Sequence, residues 1–210
     1  MHILIPCKNL NAGKSRLSGY LDPRVRREFC ERLLNQTLKL STALAEPARV
    51  KIVTDDLRAA AIASQYGVAW IRDQCAGLNA ALEGAKSALL PSIADGEALL
   101  ILPIDLPFAS ADVLAEVISC PGDLVIAPDH SGTGTNLLLM RSMALRRFYF
   151  AYGPGSYAAH IRIAEAHKLG IKTFNDWHIS FDIDEPAGYA AWCSWQRRRQ
   201  RKSSGLSWGW

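Results

Sequence analysis

The chain has 210 residues, 49% of them hydrophobic and 21% charged, the balance of a soluble globular protein with one sizeable core. Collagen-like, coiled-coil and wholly disordered chains are excluded. The formal charge is +4, but five of the 24 basic residues (Arg197, Arg198, Arg199, Arg201 and Lys202) fall in 196–210, and the other 19 face 20 acidic residues, a formal −1. The positive charge belongs to the tail, so a nucleic-acid partner is not expected. The five cysteines (Cys7, Cys30, Cys75, Cys120 and Cys193) include no CxxC pair, which argues for reduced thiols over a zinc ribbon. The apolar runs Ile3–Ile5 and Ala98–Leu102 are too short for a signal peptide or a membrane span. A cytoplasmic protein is expected.

Short β-rich runs alternate with helical patterns. Ile3–Pro6 reads as a strand, followed by a polar, Gly-containing segment. Asp22-Pro23 opens a helix, with Asp at the N-cap and Pro at the first turn, and Val25, Phe29, Leu33, Leu34 and Leu38 give it one apolar face. Strands follow at Val50–Thr54 and Val68–Ile71, separated by an Ala-rich helix ending at Gly67. Leu78–Leu90 is helical, and Leu99–Leu102 is a continuous apolar strand of the kind buried on both faces. A helix begins near Ser110, strands cover Leu124–Ala127 and Leu137–Met140, and a helix spans Ser156–Leu169. Ile171–Phe174 and a helix over Pro186–Trp195 complete the pattern. The alternation predicts an α/β fold, a mostly parallel sheet with helices on both faces, in one domain over 1–195. Residues 196–210 are expected to be a basic, disordered tail with a frayed helix end.

Ligands of open α/β sheets bind at the carboxyl ends of strands, so polar residues there carry the functional expectation. Lys8, Lys14 and Arg16 lie in the loop after the first strand. Gly13-Lys14-Ser15 is not a Walker A motif, because the required upstream glycine is Lys8. The loop suits phosphate neutralisation, or is a solvated basic loop. Asp105, between Pro103 and Pro107 after the most apolar strand, is either a Mg²⁺ ligand or a turn residue capping its own backbone. Asp182 and Asp184 share a side of an extended segment. One of them can complete a metal site with Asp105, or Asp184 or Glu185 caps the helix that Pro186 begins. Two Gly-rich segments, 128–136 and 152–156, offer backbone N–H groups, the second at a helix start suited to an anion. His160, one turn into that helix, either contacts the same ligand or hydrogen-bonds in the core. Trp192 and Trp195 read as packing residues.

Taken together these segments resemble a known family. Pro6-x-Lys8-x-Leu10 with Gly13-Lys14-Ser15-Arg16-Leu17 resembles the PxKxLxxAKSRL signature of the CofC/FbiD guanylyltransferases of deazaflavin coenzyme biosynthesis. Five further segments follow in family order: 77–82, 102–107, Pro128–Asn136, 153–156 and 182–186. The chain departs from the pattern at Gly13 (usually Ala), Cys7 (usually aliphatic) and Tyr152 (usually Phe). The resemblance implies a nucleotidyltransferase fold of the glycosyltransferase-A type. It also implies a metal-dependent activity joining GTP to a small phosphorylated acid, 2-phospho-L-lactate, phosphoenolpyruvate or 3-phospho-D-glycerate, with release of pyrophosphate. Carried over by position, Lys14, Asp105 and Asp184 are catalytic, with the two aspartates holding Mg²⁺. Thr135, Gly153 and Ser156 bind the phospho-acid, while Lys8, Lys14, Gly77, Leu78 and Asn79 bind the nucleotide. A homodimer and a downstream transferase that accepts the product are the protein partners the resemblance allows. Two other readings compete: a nucleotidyltransferase of the same fold using CTP, a sugar phosphate or a molybdopterin, and a non-catalytic nucleotide-binding module docking through its basic tail.

Overall fold

The computed structural model describes residues 1–74, 77–183 and 186–203. Seven strands form one sheet: β1 (His2–Pro6), β2 (Val50–Thr54), β3 (Ala69–Arg72), β4 (Ala98–Ile101), β5 (Leu124–Pro128), β6 (Thr135–Arg141) and β7 (Ile171–Thr173), in the order β3-β2-β1-β4-β6-β5-β7. Neighbouring pairs are parallel except those of β6, which runs antiparallel to both β4 and β5. The expected mostly parallel sheet is present, with one reversed strand inside it. A 310 turn at Ser15–Leu17 and the helices α1 (Pro23–Leu44), α2 (Leu57–Ser64), α3 (Leu78–Leu89), α4 (Ala111–Ser119), α5 (Ser142–Arg147), α6 (Ser156–Ala166), α7 (Trp177–Ser180) and α8 (Pro186–Ser203) connect the strands.

Alternation along the strands explains why they read as unbroken apolar runs. Ile3, Ile5 and Leu100 point to a cluster built with Leu34 and Leu38 of α1, Ala59 and Ile62 of α2 and Leu114 of α4. Leu4, Leu99 and Ile101 point to the opposite face, against Leu82 and Ala85 of α3, Leu145 of α5 and Ala164 of α6. Both faces are covered, so no strand position on these central strands needs to be polar.

The sequence missed α5 and α7, short helices without a long apolar period. The last helix also departs from expectation, continuing past Trp195 to Ser203, so residues 196–203 are helical. The reason is local: Trp192 is buried against Phe29, with ring centroids 4.8 Å apart, and Trp195 meets Phe108 edge-on at 5.3 Å. A docked helix extends readily into Arg, Gln and Lys, which have good helix propensity. No helix among the described residues is long and apolar enough to cross a membrane.

Candidate active site

A cavity of about 880 Å³ opens at the edge of the sheet where β1 and β4 end. Lys8, Lys14, Gly77, Leu78, Asn79, Asp105, Thr135, Gly153 and Ser156 all line it, so these nine expected site residues are brought together. Asp182 lines it as well, while Asp184 lies outside the described residues. β6 enters this edge by its first residues because it is reversed, which places Thr135 and Asn136 beside loops that leave the parallel strands.

The loop after β1 is held from outside itself. Asp56 caps α2 by accepting from the Arg58 amide at 2.7 Å, and its other carboxylate oxygen accepts from the buried Leu10 amide at 2.8 Å. One side chain thus fixes both a helix start and the basic loop. Lys14 adopts left-handed backbone angles (φ 53°, ψ 44°), a conformation costing roughly 1–2 kcal/mol for a non-glycine residue. Its ammonium, on a nearly buried side chain, lies 3.1 Å from Oδ2 of Asp105. At Gly13 an added Cβ would come within 3.1 Å of the Cys30 sulfur, which accounts for glycine where relatives of the motif carry alanine. Burial pushes the thiols of Cys7 and Cys30 up, so neither is a thiolate nucleophile.

Two helices begin at the cavity, and each starts on glycine in place of a capping side chain. Gly77 (φ 104°) precedes α3 and Gly155 (φ 70°) precedes α6, and neither helix has a side-chain cap. By contrast α1, α2 and α4 are capped by Asp22, Asp56 and Ser110. A helix start without a capping side chain suits an anion, the helix dipole adding to the attraction; at α6, however, the Ser156 and Tyr157 amides already bond the Gly153 and Thr133 carbonyls, both at 3.1 Å.

α3 also carries the segment leading to α6. The Asn79 carboxamide donates to the Tyr152 carbonyl at 2.9 Å and accepts from the Tyr152 amide at 2.7 Å. Glu83 accepts from the Phe150 amide at 2.7 Å, and Lys86 donates to the Phe148 carbonyl at 2.5 Å. The Asn79 carboxamide, expected to meet a nucleotide, is engaged with the chain and holds the turn at Tyr152. His160 is wholly buried, which settles its two alternatives in favour of core hydrogen bonding: Nδ1 lies 2.9 Å from the Thr135 hydroxyl, and Nε2 accepts from the Ala151 amide at 2.9 Å. Burial lowers its pKa to about 4, so the ring is neutral near pH 7. Sequence reasoning missed Asp56. Its signal was an acidic residue two positions after a strand and just before an Ala-rich helix.

Asp105 and Asp182 are hard oxygen donors on one cavity wall, and among the described residues no group of three or more metal-ligating side chains occurs. Such a pair fits Mg²⁺, which takes one or two carboxylates and completes its shell with substrate phosphate oxygens.

A cavity at the carboxyl edge of an α/β sheet, combining basic side chains and carboxylates, suits a protein that handles phosphorylated nucleotides. Solved structures agree on the fold. A nucleotidyl transferase from Methanothermobacter thermautotroptrophicus superposes with a TM-score of 0.61 at 16% identity over 94% of this chain and 99% of its own. A cytidylyltransferase from Leptospira borgpetersenii gives 0.58 at 12% identity over 97% and 94%. The family is narrower: residues 1–190 match the model described as guanylyl transferase CofC like, and the chain belongs to that guanylyltransferase family. A phosphoenolpyruvate guanylyltransferase from Chloroflexus aggregans is 32% identical over 93% of this chain and 98% of its own length. A 2-phospho-L-lactate guanylyltransferase from Ferroglobus placidus is 33% identical over 88% and 80%.

Proposed function

We propose that this guanylyltransferase joins GTP to a small phosphorylated acid, with Mg²⁺, in deazaflavin coenzyme biosynthesis. The observation that carries the reading is a single cavity that brings the basic loop of Lys8 and Lys14 together with Asp105, the start of α3 and the Thr135–Ser156 wall, room and charge for two phosphorylated substrates. A phosphate oxygen of the acid attacks the α-phosphorus of GTP. The new P–O–P bond forms as the bond to the β-phosphate oxygen breaks, and pyrophosphate leaves with that electron pair. The nucleophile needs no general base, since a phosphate monoester has a second pKa of ~6 and is ionised near pH 7. The neutral, fully engaged His160 fits a site of that kind. What remains is bringing two polyanions together, a matter of positioning and charge.

Lys8, Lys14 and the 77–79 turn hold the GTP phosphates, and Thr135, Gly153 and Ser156 hold the acid. Asp105, with Asp182 or Asp184, holds Mg²⁺, which when bound neutralises charge on the transferring phosphates. Lys14 and Asp105 form an ion pair in this cavity, which keeps both charges at the place where the phosphates and the metal are to meet. Pyrophosphate release measured with GTP or CTP against 2-phospho-L-lactate, phosphoenolpyruvate and 3-phospho-D-glycerate tests the reading. Turnover with GTP and one of these acids is expected; preference for CTP, or no turnover with any of the three, refutes it. Ser156→Ala should raise KM for the acid by roughly 10- to 150-fold, the range for losing a hydrogen bond to a charged group. Lys14→Ala should impair GTP use whichever acid is supplied. If Ser156→Ala weakens GTP and spares the acid, the two ends of the cavity are reversed.

A further inference from the structure

The buried ring between α6 and the cavity has a defined proton position. The Ala151 amide can only donate, so Nε2 of His160 is the acceptor and carries no hydrogen. The neutral ring therefore holds its one N–H at Nδ1, which faces the Thr135 hydroxyl at 2.9 Å. That N–H must donate to Thr135 Oγ, and the threonine's own O–H cannot point back at the ring. Thr135 lines the cavity, as do Gly153 and Ser156, and its hydroxyl is left to donate into this region.

We propose that His160 is a positioning residue that orients the Thr135 hydroxyl as a donor to the substrate phosphate, while its other nitrogen holds the 151–155 turn in place through Ala151. A donor fixed in this way is aimed at an acceptor oxygen, which a phosphate supplies. A freely rotating threonine hydroxyl would have to be ordered on binding instead. The ring is held firmly enough for the task. Its carbon faces lie among Phe148 and Tyr152, at centroid distances of 5.3 Å and 5.1 Å, and it is inaccessible to water. The inference rests on the assignment of the acid to Thr135, so its test separates the two.

Glutamine at position 160 can place its carbonyl near the Nε2 site and keep the Ala151 bond, but it has no donor at the Nδ1 site. His160→Gln should raise KM for phosphoenolpyruvate about tenfold and leave KM for GTP unchanged. Thr135→Val should raise the same constant at least as much, and the double variant should be no worse than Thr135→Val alone. An unchanged KM for the acid in His160→Gln, or a full additional loss in the double variant, overturns the proposal. If Thr135→Val itself leaves the acid unaffected, the acid is not bound there and both readings fall. Should the His160 variant not fold, nitrogen-15 NMR of the intact protein decides the matter. A neutral ring protonated at Nδ1 at about pH 6 to 8, with and without phosphoenolpyruvate, is expected. Protonation at Nε2, or an imidazolium, overturns it.

Discussion

Replacing Asp56 with alanine should damage the protein in two separable ways. The carboxylate caps α2 through the Arg58 amide, and losing such a cap costs typically about 1 kcal/mol. It also accepts from the Leu10 amide, which is buried and would be left without a partner, at a cost of about 1–3 kcal/mol. The sum is roughly 2–4 kcal/mol, which lowers the melting temperature of a chain this size by about 4–16 °C. Leu10 sits in the loop that carries Lys8 and Lys14 into the cavity, so the same change should raise KM for GTP and spare the phospho-acid. Thermal melts and steady-state kinetics with each substrate varied in turn measure both effects. Asp56→Asn keeps an oxygen for the cap and should fall between the two in stability. A lowered melt with unchanged KM for GTP would refute the idea that Asp56 positions the basic loop. An unaltered melt would refute the accounting of the two amides.

Asp105→Asn should nearly abolish turnover while shifting the melt little, because the carboxylate is partly exposed and its pair with Lys14 is a modest contributor to stability; substantial remaining activity removes the metal assignment, and a large loss of stability favours a turn-capping role. His160 is held neutral with a pKa of about 4 against 6.5 when unfolded, so the unfolded chain binds the extra proton between those values. Its contribution, about 3 kcal/mol, is therefore complete above about pH 6.5 and lost as pH falls towards 4. Burial lowers His2 in the same direction. Denaturant melts across that window should steepen less in His160→Gln, and an identical slope in the variant would rule His160 out as the source. Truncation after Trp195 should leave the turnover rate and KM for GTP within a small factor of the full chain, since the aromatic anchors Trp192 and Trp195 are retained; a collapse in activity would show that the basic end of α8 reaches a site.

The parallel strands and their helices were legible because both signals are local: apolar runs bounded by Gly or Pro, and caps such as Asp22-Pro23. The reversal of β6 was not. Antiparallel and parallel strands buried on two faces share the same composition, and only the short hairpin 129–134 hinted at it. Site residues at strand ends were found by rule and by resemblance, and nine of them share the cavity. Partnerships across long sequence separations were invisible: Asp56 with Leu10, Asn79 with Tyr152, and His160 with Thr135. Each depends on which loops the fold brings together. The change of composition after Trp195 marked a helix end but not its extent, because arginine and lysine also favour helix once a helix is anchored, and α8 runs to Ser203.

The reversed strand divides the cavity by the kind of connection that builds it. Residues 8–16 follow β1 and residues 77–79 open α3, both within connections between parallel strands that pass through a packed helix. Residues 129–134 instead form a hairpin turn, braced internally by Asp129 accepting from the Ser131 hydroxyl and the Thr133 amide and tied to α6 by the Tyr157 amide bonding the Thr133 carbonyl. A hairpin can gain or lose residues without shifting the register of the strands behind it. A change in the length of that hairpin would fall on the wall that carries Thr135, across the cavity lining from the loop that carries Lys8 and Lys14.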